Sequence, residues 1–207
     1  MFLVIIFIIT LNYMAISGRL DTFNRLLFIQ GIVLFGVAFR ELHHIDLLNL
    51  FFILVETLVF KALIVPYMLN RIVKRNNLRH ETEPDISNFA SLFIVSAIIA
   101  VSFILAYNLH DSHLKIVYFA ASVSALFTGL FLIISRKKII THIIAYMVIE
   151  NGIFLLSLAL GSEMPTIVNI AILMDLFTSI LILSIFVNRI GDAFKTVQAD
   201  NLNELRD

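Results

Sequence analysis

Apolar runs long enough to cross a lipid bilayer recur from one end of this chain to the other, and no other feature restricts its fold so severely. A helix needs roughly 20 predominantly apolar residues to span about 30 Å of hydrocarbon. By that measure the sequence predicts seven spans, at 1–17, 25–40, 46–69, 87–108, 115–135, 139–160 and 166–187, of which the second is the shortest. In lipid every backbone polar group must find its partner within the protein, so apolar runs of this length read as helices. The expected fold class is therefore all-α, a polytopic membrane protein with about seven transmembrane helices. Composition agrees: 60% of the 207 residues are hydrophobic and 14% charged, with a mean hydropathy of +0.97, whereas soluble domains are about a quarter charged. The polar gaps are short, which leaves no length for a separate water-soluble core.

The basic residues give the expected orientation, because Lys and Arg are retained in short cytoplasmic loops. Arg19 and Arg25, then Arg71, Lys74, Arg75 and Arg79, then Arg136, Lys137 and Lys138, and last Arg189, Lys195 and Arg206 fall on alternate loops, twelve of the fifteen basic residues on one side. The other side holds Arg40, Glu41, His43, His44, Asp46, His110, Asp111, His113, Lys115 and Glu163. Seven spans with the N-terminus outside and the C-terminus inside satisfy every loop. The first run, MFLVIIFIITLNYMAIS, has no basic n-region and is followed by Gly18-Arg19-Leu20-Asp21, not by a small-residue cleavage site, so it reads as a retained helix. With no Cys, this chain offers no disulfide, thiolate metal site or iron–sulfur ligand, and its net charge of zero argues against nucleic acid as a partner.

Two blocks look related. Leu26–Phe39 (LLFIQGIVLFGVAF) matches Tyr146–Leu160 (YMVIENGIFLLSLAL), and Asn49–Ile72 matches Asn169–Ile190. Each half gives a helix, a helix with a central polar-Gly step (Gln30-Gly31, Asn151-Gly152), and a helix with a central acid that ends in Asn-Arg-Ile. Three crossings invert the chain, so a second copy in the same orientation needs one extra span, which 87–108 supplies. Internal repeats of this kind are common in membrane transport proteins. The expected organisation is a three-helix membrane unit at 1–72, a cytoplasmic loop and connecting helix at 73–114, a second three-helix unit at 115–190, and a cytoplasmic amphipathic tail at 191–207. In the tail Ile190, Phe194, Val197, Asn201 and Leu205 recur at helical spacing.

Glu56, Glu150 and Asp175 fall near the middles of their spans, with Lys61 beyond Glu56 towards the cytoplasmic end. A charge at the bilayer centre costs roughly 2.5–3.5 kcal/mol even on the lenient insertion scale, so such groups face the protein interior, where they pair, hydrate or protonate. Burial favours the neutral carboxyl and a neighbouring cation favours the carboxylate. A carboxyl under both influences changes protonation near neutral pH, as a proton relay requires. The alternative role is packing glue that fixes helix order. On an α-helix Glu56 and Lys61 stand about 140° apart and need not pair, and Lys61 has the length to snorkel towards the cytoplasm. His142 lies one turn into its span, two turns before Glu150, where imidazole could pass protons inward; the competing account is a histidine satisfied at the membrane interface. The outer-loop histidines His43, His44, His110 and His113 lack the spacing of a metal site. The expected proton-path residues are Glu150, Asp175, Glu56, Lys61 and His142, with no catalytic or metal-binding residue in this chain.

Ser135-Arg136-Lys137-Lys138, then MVIENGIFLL at Met147–Leu156, then ILMDLFTSILI at Ile172–Ile182, resembles the K subunit of complex I. There a basic cytoplasmic turn precedes a helix with a central Glu beside small residues, and the next helix carries a second acid. Glu150 takes the first acid position, and Asp175 the second in place of the usual Glu. With four further spans before it and the ENGIFL string, the whole chain resembles component E of the hydrogenase-4 family, which accompanies membrane-bound nickel–iron hydrogenases related to complex I. That resemblance implies a multi-pass subunit in a prokaryotic cytoplasmic (inner) membrane. Its partners would be antiporter-like membrane subunits, a quinone-module-like membrane subunit and a peripheral redox arm, with the nickel–iron and iron–sulfur centres held by those partners. Competing readings are a subunit of a multisubunit cation/proton antiporter and a purely structural spacer.

Overall fold

A computed structural model describes residues 2–41, 55–64, 66, 67, 69, 86–109 and 115–160. Among the described residues the chain is all-helical, with α1 (Phe2–Ile16), α2 (Leu20–Glu41), a π-helix (Val55–Ile64), α3 (Asn88–Asn108), α4 (Ile116–Ser135) and α5 (Ile139–Ala159). α2, α3, α4 and α5 are each long and apolar enough to cross a membrane, which makes this a membrane protein by length and composition. α1 has 15 residues and rises about 22 Å, short of the about 30 Å of a hydrocarbon core. The seventh expected span, the loop before α3 and the C-terminal tail lie outside the described residues.

The second span is longer than its apolar run predicts. α2 starts at Leu20, not at 25, and carries Asp21, Asn24 and Arg25 in its first turns. Packing extends it: Leu20 and Phe23 are buried, and Asn24 Nδ2 donates to the Pro66 carbonyl at 2.8 Å, a bond that only a folded chain offers. Before α3, Ser87 is the N-cap, its hydroxyl accepting from the Ala90 N–H at 3.3 Å. Within the helices the hydroxyls of Ser102, Ser122 and Ser124 donate to carbonyls of the preceding turn, which satisfies them without water.

Two helical hairpins form the centre of the described part. α1 and α2 join through Ser17-Gly18-Arg19, and α4 and α5 join through Arg136-Lys137-Lys138. Arg136 Nη2 donates to the Ala15 carbonyl at the end of α1 (3.0 Å), and the guanidinium lies 5.6 Å from the centre of the Phe23 ring near the start of α2. Both basic turns therefore occupy the same end of the bundle, so the two hairpins run in the same direction. At the opposite end the Lys115 N–H donates to the Ala159 carbonyl. α2 packs on α5 and α1 on α4, the π-helix lies against α2, and α3 leans on α1 and α4.

α4 and α5 approach closely because α4 presents a stripe of small buried residues, Ala121, Ala125, Thr128 and Gly129 among them. Lipid gives helices no hydrophobic reason to associate, so close backbone contact between small residues has to hold them together. A Cβ on Gly129 would meet Ile149 Cγ1 at 2.5 Å, and one on Gly152 would meet Ala125 Cβ at 3.0 Å and the Ser122 carbonyl at 3.1 Å. α3 is different, with Phe89, Phe93, Ile104 and Tyr107 exposed on the outside of the bundle.

Candidate functional site

The site is built on the middle of α5, where three consecutive residues turn by about 100° each and meet three different neighbours. Glu150 is buried, at 6% exposure. Phe154 lies four residues on, over the same face, and the ammonium of Lys61 from the π-helix sits 4.8 Å from its ring centre. Lys61 therefore stands on the Glu150 side of α5. It is 8% exposed and its head is inside the protein, so it does not snorkel.

The π-helix alters the relation between Lys61 and Glu56. Its backbone hydrogen bonds close five residues apart instead of four. Positions 56 and 61 are thereby stacked about one turn apart, not set about 140° apart as on an α-helix. Asp175 and the side chain of Glu56 lie outside the described part of the structure.

Asn151 faces α2. Its Nδ2 donates to Gln30 Oε1 at 3.0 Å, and Gln30 Nε2 donates in turn to Thr10 Oγ1 at 2.9 Å and lies 3.8 Å from Met14 Sδ. The Thr10 hydroxyl donates to the Phe7 carbonyl at 2.5 Å. A continuous chain of donors thus runs from α5 through α2 to the backbone of α1. All three side chains are buried, at 4% for Asn151, 0% for Gln30 and 4% for Thr10. Gly152 completes the triplet by letting α4 approach.

His142 sits in the first turn of α5, half-buried, with Nε2 2.6 Å from the Arg136 carbonyl. A carbonyl oxygen only accepts, so Nε2 is the donor in this contact. Arg136 reads in the sequence as one of three loop cations. Here it is 3% exposed, and burial lowers its pKa from the ordinary guanidinium value, although a guanidinium remains charged in a protein.

In the sequence His142 and Glu150 fall two turns apart on one span, and Lys61 falls on another. The structure sets Lys61 beside the Glu150 face and leaves His142 at the basic turn, two helical turns away along α5. It adds Phe154, Thr10 and the Gln30–Asn151 pair. Phe154 had a sequence signal in its four-residue spacing from Glu150. The Gln30–Asn151 pair was visible only as two similar polar-Gly steps.

No family model matches the chain, and no solved structure matches it. It is similar to the uncharacterized protein Rv0085 of Mycobacterium tuberculosis (strain ATCC 25618 / H37Rv), at 22% identity over 156 residues that cover 74% of this chain and 71% of that protein.

Proposed function

We propose that this chain is a membrane subunit of a complex-I-like oxidoreductase of the hydrogenase-4 or formate hydrogenlyase type. In it, buried carboxylates form part of the path along which redox chemistry drives proton movement. The observation that carries the reading is Glu150, 6% exposed in the middle of a membrane-length helix, with the Lys61 ammonium over Phe154 one turn along the same face. Burial raises the cost of the charged carboxylate and a nearby cation lowers it, the balance a proton carrier needs. Lys61 adjusts Glu150, Glu56 and Asp175 extend the path on their own spans, and His142 passes protons to the basic end. The chain performs no bond chemistry itself. The proposal includes seven spans with the N-terminus outside and two parallel three-helix units, supported by the basic turns of both hairpins lying at one end. Its partners are antiporter-like and quinone-module-like membrane subunits and a peripheral arm holding nickel–iron and iron–sulfur centres, in a prokaryotic cytoplasmic membrane.

The test is Glu150→Gln in the native complex, reconstituted into proteoliposomes with a pH-sensitive dye inside. Gln keeps the shape and cannot ionise. The complex should assemble and turn over its redox substrates while proton movement per turnover collapses; full proton movement in an assembled complex rejects the relay. Metal analysis of the same preparation separates the competing antiporter reading, which predicts neither nickel nor iron.

A further inference from the structure

Gln30 carries no charge and stands in the half of the chain without a counterpart to Glu150, yet it is completely buried and has a partner on each side. We infer that Gln30 is a positioning residue for Glu150, acting through Asn151 across the seam between the two repeated units; this rests on the proton-path reading above.

Three observations carry it. The donor chain from Asn151 through Gln30 and Thr10 to the Phe7 carbonyl ends on an acceptor that cannot donate, so its direction is fixed. The Gln30 oxygen is thereby held towards α5 and its nitrogen towards α1. Second, Asn151 is the residue after Glu150, and its bond to α2 fixes the rotation of α5 about its own axis. With side chains reaching about 5–6 Å from the axis, a rotation of about 10° carries the Glu150 position through about 1 Å. Displacements of that size are enough to cost a positioned group about a hundredfold in rate. Third, Gln30 and Asn151 are 121 residues apart, and so are Ala15 and Arg136, another hydrogen-bonded pair between the hairpins. α1 packs on α4 and α2 on α5, so the two hairpins lie side by side, and the equal offsets set them in register from the basic end to the middle of the bundle. The N-terminal unit thus contributes to the acid site of the C-terminal one by holding it in register.

The variants are Gln30→Leu, which removes both bonds of the amide, Thr10→Val, which removes one at nearly constant shape, and Gln30→Glu, which can still accept from Asn151. Each is measured in the assembled, reconstituted complex beside Glu150→Gln. Readouts are proton movement per turnover against pH, and the infrared carbonyl band of the protonated carboxyl that Glu150→Gln abolishes. Gln30→Leu should lower proton movement at least about tenfold, displace its pH midpoint and shift the infrared band. Thr10→Val should do the same to a smaller degree, and Gln30→Glu should restore most of the loss. Combined with Asn151→Leu, Gln30→Leu should add less than its effect alone, because the Gln30–Asn151 bond is already lost in Asn151→Leu and only the Thr10 bond remains to break. If Gln30→Leu fails to assemble, Thr10→Val and Gln30→Glu decide the matter. A pH profile and infrared band identical to the wild type in the assembled variants, with Glu150→Gln still inactive, overturns the positioning role alone. Full activity in Glu150→Gln overturns the reading beneath it.

Discussion

Gly129→Ala puts a methyl group where α4 and α5 come closest. The new Cβ would stand 2.5 Å from Ile149 Cγ1, 3.3 Å from Ile149 Cδ1 and 2.9 Å from the Ala145 carbonyl oxygen, where ordinary contact begins at 3.4 Å. Ile149 is β-branched and stiff at χ1 in a helix, and the Ala145 carbonyl belongs to the helix backbone, so α4 and α5 have to separate by about 0.5 Å. Forced overpacking of this kind costs about 1–3 kcal/mol. In a soluble helix part of that is recovered, since Ala is favoured over Gly by about 0.5–1 kcal/mol. In a membrane the separated helices stay helical, because the backbone has no other way to satisfy itself. The propensity gain therefore appears on both sides of the equilibrium and largely cancels. Gly36→Ala is the control: among the described residues its Cβ would meet Leu3 Cδ1 at 3.0 Å and Cδ2 at 3.8 Å, the free end of a flexible side chain. Equilibrium unfolding in mixed detergent micelles, followed by circular dichroism and by a label at the hairpin turn, reads the difference. Gly129→Ala should lose about 1–3 kcal/mol and Gly36→Ala less than about 0.5 kcal/mol. Equal stability of the two variants would refute the claim that backbone approach between α4 and α5 sets this interface.

Two further outcomes follow from contacts around the site. Phe154 lies under the Lys61 ammonium at 4.8 Å, and both are buried, so a double-mutant cycle with Lys61→Met and Phe154→Leu should return a coupling of about 0.5–2 kcal/mol; additivity within about 0.3 kcal/mol would mean that ring and cation ignore each other. Arg136→Gln removes a charged hydrogen bond to the Ala15 carbonyl and the ring contact with Phe23, and should cost about 2–4 kcal/mol in the same unfolding assay. Lys137→Gln, at the exposed neighbouring position, should stay within about 0.5 kcal/mol of the wild type. A loss as large for Lys137 as for Arg136 would show that turn charge, not the buried contact, holds the hairpins together.

Among the described residues hydropathy alone located α1 to α5, because an apolar run in lipid has so few alternatives that length almost decides structure. It missed where packing competes with composition. The first turns of α2 contain Asp21, Asn24 and Arg25, and only burial of Leu20 and Phe23 and the bond from Asn24 to Pro66 explain why they are helical. The π-helix was hidden for a related reason: its ten residues carry no composition distinct from an α-helix, and the wider turn is a backbone choice that moves Lys61 relative to Glu56. Arg136 and Lys137 are adjacent and equally basic, yet one is buried against α1 and α2 and the other is exposed. A loop charge count treats them alike. For the site, the burial of Glu150 followed from its place in the span, whereas Phe154 went unnoticed although its four-residue spacing from Glu150 puts it on the same face. The bond between Gln30 and Asn151 required knowing which helices are neighbours, and pattern matching supplied only the resemblance of the two steps, not their contact.

One turn of α5 thus answers to three constraints at once. Glu150 shares its face with Phe154 and the Lys61 cation, Asn151 is tied to α2, and Gly152 admits α4 to 3.0–3.2 Å of where its Cβ would be. Because the three residues are consecutive, each about 100° from the next, no rotation of the helix improves one relation without degrading the other two. That rigidity suits the proposed proton path, in which the work of Glu150 depends on a small balance. A carboxyl that must lose and regain a proton at similar cost cannot tolerate a change in its distance from the nearest cation, since interaction energies at low dielectric vary steeply with separation. The amide chain and the glycine contact are uncharged, and they hold α5 in place without shifting that balance electrostatically. In the proposed proton path the arrangement would separate two tasks that conflict if charged groups perform both: neutral hydrogen bonds and backbone contact fix the geometry, and Lys61 is left to act on the carboxyl.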